Sequence, residues 1–68
     1  MNRELYDVAA VNIKTSRVRI LGSGKNERDA AAVVSMAVMR QGVEREFFVE
    51  VPAGKYKDGD LWKGKEPV

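Results

Sequence analysis

Apolar and polar positions change their rhythm along the chain in a way that marks out four elements. Residues 4–14, ELYDVAAVNIK, and 17–21, RVRIL, are dense in β-branched and apolar residues, and the polar KTSR of 14–17 joins them. Two strands and a hairpin are expected. With Lys14 opposite Arg17, Ile13 faces Val18 and Val11 faces Ile20 on one side; Asn12 faces Arg19 and Ala10 faces Leu21 on the other. The glycine-punctuated stretch RILGSGKNERDAAAVV then turns from strand to helix. Asn26 is the expected N-cap, with Asp29 three residues on and Glu27 beside it, both placed where the helix dipole favours negative charge. The helix spans about 27–41, carries Arg40 in its last turn, and stops at Gly42 as a left-handed C′ residue. A third strand follows over 43–51, where Val43, Phe47, Val49 and Val51 alternate with Glu44, Glu46 and Glu50 until Pro52 ends it.

The order ββαβ implies an α+β fold. The expected sheet has three antiparallel strands in the order 2-1-3, with strand one central because both its faces are apolar and the helix packed on one face. Residues 1–54 form this single domain, and 55–68 form a short C-terminal turn and tail, packed on the domain or partly flexible.

Two places are more apolar than this fold requires. On the helix, Ala30, Val33, Val34 and Ala37 share the face that suits the sheet, with Val38 beside them. Ala32, Met36 and Met39 recur at i, i+4 and i+7 on the opposite side, where charged residues are expected. Either the tail covers this stripe, with Leu61 or Trp62 upon it, or another protein chain does. On the sheet, Val8, Ala10, Leu21 and Phe48 are expected to point away from the helix. Arg17 and Arg19 flank them on one side, and Glu44, Glu46 and Glu50 on the other. A face split in this way into basic and acidic halves is self-complementary under a two-fold rotation.

Composition narrows the chemistry. The 68 residues include no cysteine and no histidine, so disulfides, thiolate metal sites and the commonest general base are ruled out. A chain this small commonly needs a staple, and a partner subunit is the one left. Lys25 follows Gly24, but Arg19 and Asn26 break the pattern of a phosphate-binding P-loop. Glu27 stands where the third glycine of a dinucleotide fingerprint belongs. GSGK is therefore expected to be a corner. Ser16, Ser23 and Ser35 lack a base to activate them. Asp58-Gly59-Asp60 lacks the remaining ligands of a calcium loop and is expected to be a turn. No catalytic role, cofactor or metal is expected.

The opening MNRELYDVAA has no apolar signal region, and no apolar run is long enough to span a membrane, so the expected location is cytoplasmic. Twelve basic against ten acidic residues give a net charge of +2, short of the clustered charge that announces nucleic acid. In size and style, a short ββαβ chain with a charged tail resembles accessory proteins of phages and mobile elements. The expected function is a small non-enzymatic protein-interaction module. Its partner is itself, as a homodimer, or a larger host or assembly protein. The alternative is weak nucleic-acid binding through Lys14, Arg17, Arg19, Lys55, Lys57, Lys63 and Lys65.

Overall fold

The computed structural model describes residues 4–42 and 45–64. Its elements are β1 (Tyr6–Asn12), β2 (Val18–Lys25), α1 (Glu27–Arg40) and β3 (Glu46–Pro52). They form one antiparallel sheet in the order β2-β1-β3 with a single helix, which is the α+β fold the residue pattern implies. β1 is central because it can be buried on both faces: every residue from Asp7 to Val11 is buried.

The helix takes the face opposite to the one the alternation suggests. Ala9, Val11 and Val18 form a core cluster whose neighbours are Ile20, Phe47, Val49, Tyr56 and Trp62, so the tail covers this side. On the other side, a β-carbon added at Gly22, which pairs with Val8, would point at Val33 of α1. Leu21 and Phe48 line a groove there together with Val33, Met36 and Ala37. Val8, Ala10, Leu21 and Phe48 thus lie beneath the helix and do not form an open face. Small Val8, Ala10 and Gly22 let the alanine-rich helix come close, while the larger Phe47, Val49 and Ile20 receive the aromatic tail. β2 and β3 run parallel, so α1 is a crossover, and such crossovers are overwhelmingly right-handed. Handedness ties the helix to one face, and hydrophobic alternation carries no such label.

Residues 55–64 cross the far face and then edge the sheet. Trp62 packs edge-on against Phe47 and beside Tyr56, at centroid distances of 5.6 and 5.2 Å. Gly64 passes so close to the indole that a β-carbon would sit 2.5 Å from Cζ2, so only glycine fits without a shift. The tail also occupies outward backbone groups at the start of β2 and just before it. Val18 N–H donates to Asp60 O, Gly59 N–H to Val18 O, and Trp62 N–H to Ser16 O. Ile20 N–H donates to Asp58 Oδ1 at 2.6 Å. Asp58 and Gly59 form the expected turn, with Gly59 at φ 89°.

The β3 edge is closed differently. The Leu5–Ala53 and Ile13–Arg45 bonds set the hydrogen-bonded rungs, so Glu46, Phe48, Glu50 and Pro52 turn their backbone groups outward. Gln41 takes both groups of Glu46 with its side-chain amide, and Pro52 has no N–H to offer. Among the described residues, Phe48 and Glu50 alone remain open on this edge.

Three local expectations shift. The hairpin closes two residues earlier on β1, with Val11 opposite Val18 and Ala10 opposite Arg19. Asn12 causes this: its side chain accepts from Lys14 and Thr15 N–H and builds a wider turn, with Ser16 at φ 61°. Gly22-Ser23-Gly24-Lys25 is the bulged end of β2, with extra residues between the rungs at Ile20, Gly22 and Lys25, and Asn26 alone makes the corner. Gly24 supplies the φ of 63° that the second bulge needs. The helix ends at Arg40 with Gln41 extended, without a left-handed Gly42. Asn26 does cap it, accepting from Asp29 N–H at 2.8 Å. Val43 and Glu44, at the expected start of the third strand, lie outside the described residues.

Candidate protein-contact surface

With one sheet face under α1 and the other under the tail, exposed apolar side chains gather on the outside of the helix, apart from the scattered Leu5, Ile13 and Leu61. The ten residues Ala30–Met39 carry no charge. Ala30 is buried against the sheet, with Val33, Val34 and Ala37 half-buried beside it. Turned outward are Ala31, Ala32, Ser35, Met36, Val38 and Met39; Met36 and Val38 are 54% exposed and Met39 is 85% exposed. A helix apolar on all sides is normally buried on all sides. The expected tail cover is absent from it, since Trp62 lies across the sheet from α1 and Leu61 is exposed on the tail.

Along the flank of α1 that faces β2 runs a groove of about 520 Å³, floored by Leu21 and Phe48 and walled by Met36 and Arg40. Arg19 and Glu46 join at its sheet side through a 2.9 Å ion pair, reaching across β1 between the strand rows that were expected to stay separate. These two side chains are one from each half of the anticipated two-fold charge pattern, and in this fold they satisfy each other. Arg17 is likewise engaged, donating to Gly59 O at 2.9 Å. Val8 and Ala10 are fully buried and unavailable to a partner. Ala32, Met36 and Met39 keep the exposure a contact needs, while Leu21 and Phe48 are half-buried and Glu50 is exposed. Glu44 falls outside the described residues.

The charges sort by end of the molecule. Near the β1–β2 turn, Ile13 N–H donates to Arg45 O, Trp62 N–H to Ser16 O, and Arg45 N–H to Gln41 Oε1. These bonds bring Lys14, Arg40, Arg45 and Lys63 to one end. At the other, Tyr6 O–H donates to Glu4 Oε2 at 2.9 Å. That hydrogen bond and the charge of Glu4 hold the Tyr6 hydroxyl above its ordinary 10.0, and Glu27 and Glu50 push it the same way. Asp29 stands in the same first turn of α1 as Glu27. The gathering of Arg40 and Arg45 was not anticipated from the sequence, because the turn that brings them to Lys14 depends on the Gln41 side chain. Lys55 lies over the Tyr56 ring at 5.8 Å and Lys57 is in the tail turn, away from this cluster. Lys65 is outside the described residues.

Asp7 is the buried polar side chain of the core. Its carboxylate accepts Gly24 N–H at 3.0 Å and Gly54 N–H at 2.9 Å, joining the β2 bulge to the turn after β3. The Gly24 amide, a would-be phosphate donor, is thereby engaged by a carboxylate. Among the described residues no helix is long and apolar enough to cross a membrane, and no three acidic side chains gather as a metal would require. Comparison with family models, with curated proteins and with solved structures finds no match for this chain.

Proposed function

We propose that the protein is a non-enzymatic interaction module that self-associates through the outer face of α1. The carrying observation is the uncharged Ala30–Met39 segment, which leaves Met36, Val38 and Met39 exposed on a helix whose opposite side already packs on the sheet. Burial of apolar area at about 25 cal/mol per Å² favours covering that face. The small Ala31, Ala32 and Ser35 permit a second helix to approach within about 8–10 Å. Strand addition is a less favoured alternative, because the tail occupies Val18 and the Ile20 N–H on the edge of β2, and Gln41 occupies Glu46 on the edge of β3.

Met39→Asp tests this reading. In the isolated chain the side chain is solvated, so the substitution should change unfolding free energy by no more than about 0.5 kcal/mol. At a contact it places a charge in a desolvated site, and sedimentation equilibrium should show association lost. Unchanged association in the variant would remove the outer face from consideration.

The end carrying Lys14, Arg40, Arg45 and Lys63 favours a second reading, weak binding to a nucleic-acid backbone. It differs from the sequence-based version, since Arg19 is paired with Glu46 and Arg17 is bonded to the tail. Binding to a DNA or RNA duplex that falls steeply with salt and disappears in Lys14→Ala/Arg45→Ala would establish it. Fluorescence anisotropy at two salt concentrations is expected to show no such binding.

A further inference from the structure

The outer face of α1 carries its own orientation signal. Asp29 and Arg40 are eleven residues apart, close to three full turns of 3.6, so they stack on one flank with Met36 between them. Along the axis they lie about 16 Å apart. Their midpoint falls between Val34 and Ser35, next to the centre of α1. Both side chains are exposed, and the one ion pair among the described residues, Arg19–Glu46, uses neither.

We infer that a second copy of this chain docks on this face with its helix antiparallel, so that Asp29 of each chain meets Arg40 of the other. The inference rests on the reading of the outer face as a self-association surface, and adds the partner's orientation. A two-fold axis perpendicular to α1, level with its centre and midway between the two copies, exchanges the two ends of the flank. Antiparallel packing therefore makes both ion pairs together, with Met36 and Met39 filling the space between the helices and Ala32 allowing close approach. Parallel packing would instead hold Asp29 level with Asp29 and Arg40 level with Arg40, on opposite flanks of the pair, and would make neither ion pair.

Three further features have the same sense. The helix dipoles oppose in the antiparallel arrangement, each positive N-terminus lying by the other's negative C-terminus. The acidic end with Glu4, Glu27 and Glu50 comes beside the basic end with Lys14, Arg45 and Lys63 of the second copy. Arg28, on the outward side near the N-terminus of α1, extends its aliphatic stem toward the opposing Met39 and its head toward the last carbonyls of that helix. Each of these attractions is modest on an exposed surface. Their agreement in sign makes the choice of orientation.

Charge reversal tests it. Asp29→Lys alone and Arg40→Glu alone each convert two attractions into two repulsions, and self-association should weaken about tenfold or more. Mixed in equal amounts, the two variants should form a heterodimer at least as readily as the unaltered chain pairs with itself. The introduced lysine of one chain then faces the introduced glutamate of the other, and the native Asp29–Arg40 pair completes the opposite end. The double variant should recover self-association. The mixing step also controls for folding, since a chain that had merely unfolded would not be rescued by another damaged chain. Analytical ultracentrifugation with one variant fluorescently labelled reads all three states. Variants that self-associate like the unaltered chain and show no preference on mixing would overturn the antiparallel arrangement while leaving the α1 contact standing. An unaltered chain that stays monomeric at every concentration would remove both.

Discussion

Asp7 shows how much of this fold hangs on a single side chain. It sits in the most buried strand, on the face that the tail covers, and among the described residues it has no cationic partner. Its two oxygens instead satisfy Gly24 N–H and Gly54 N–H, which belong to a bulge and a turn that cannot bond within the sheet. Charge-assisted bonds of this kind are stronger than neutral ones. Asp7→Ala leaves both amides without an acceptor and should cost about 3 kcal/mol, measured by urea denaturation. Asp7→Asn keeps one acceptor oxygen and turns an N–H₂ toward the other amide, so its cost should lie between those of Ala and the native residue. Equal stability of all three chains would show that water serves these amides as well as the carboxylate does. The signal is available in the sequence, where Asp7 is the lone acid in the apolar run YDVAAV. What it binds is not, because Gly24 and Gly54 come to it from distant parts of the chain.

At the level of elements, the residue pattern conveys the number, kind and order of strands and helix, and the central place of β1 follows from its two apolar faces. The faces themselves are exchanged. Residues such as Val8 and Ala10 alternate with Ala9 and Val11 whichever side the helix takes, so periodicity cannot distinguish them. The bulges at the end of β2 are hidden for a related reason, since counting pairs back from the turn assumes one residue per rung. The exposed Ala32, Met36 and Met39 are legible because their spacing is a property of α1 alone. The pattern marks the tail as a minor appendage, yet Tyr56 and Trp62 complete the second core face. A chain ending at Gly54 should therefore lose its folded structure by circular dichroism. Trp62→Ala should cost about 3–5 kcal/mol, the usual range for deleting a packed aromatic. Trp62→Phe should cost well under that, because the indole N–H is buried without an acceptor and its removal breaks no hydrogen bond. Since Trp62 is the sole tryptophan, its emission spectrum reports tail docking directly. An emission unchanged on unfolding would contradict the packing described.

On the scale of the whole molecule, the layers are helix, sheet and aromatic tail, drawn out to 38 × 24 × 21 Å with opposite charge gathered toward the two ends. For the antiparallel docking inferred above, raising salt should weaken the preference for that orientation more than it weakens the apolar contact. The closed sheet edges have a separate consequence. Fibrils grow when one strand templates the next, and each added molecule must offer a fresh row of unpaired amides. Here residues 58–62 cover the start of one row, at Val18 and the Ile20 N–H, and Gln41 with Pro52 shortens the other to Phe48 and Glu50. A strand docked on β3 would find two rungs to hold it, and the opposite edge begins under the tail. Release of the tail would bare the start of β2, so a chain shortened before residue 58 should form fibrils sooner than the native one.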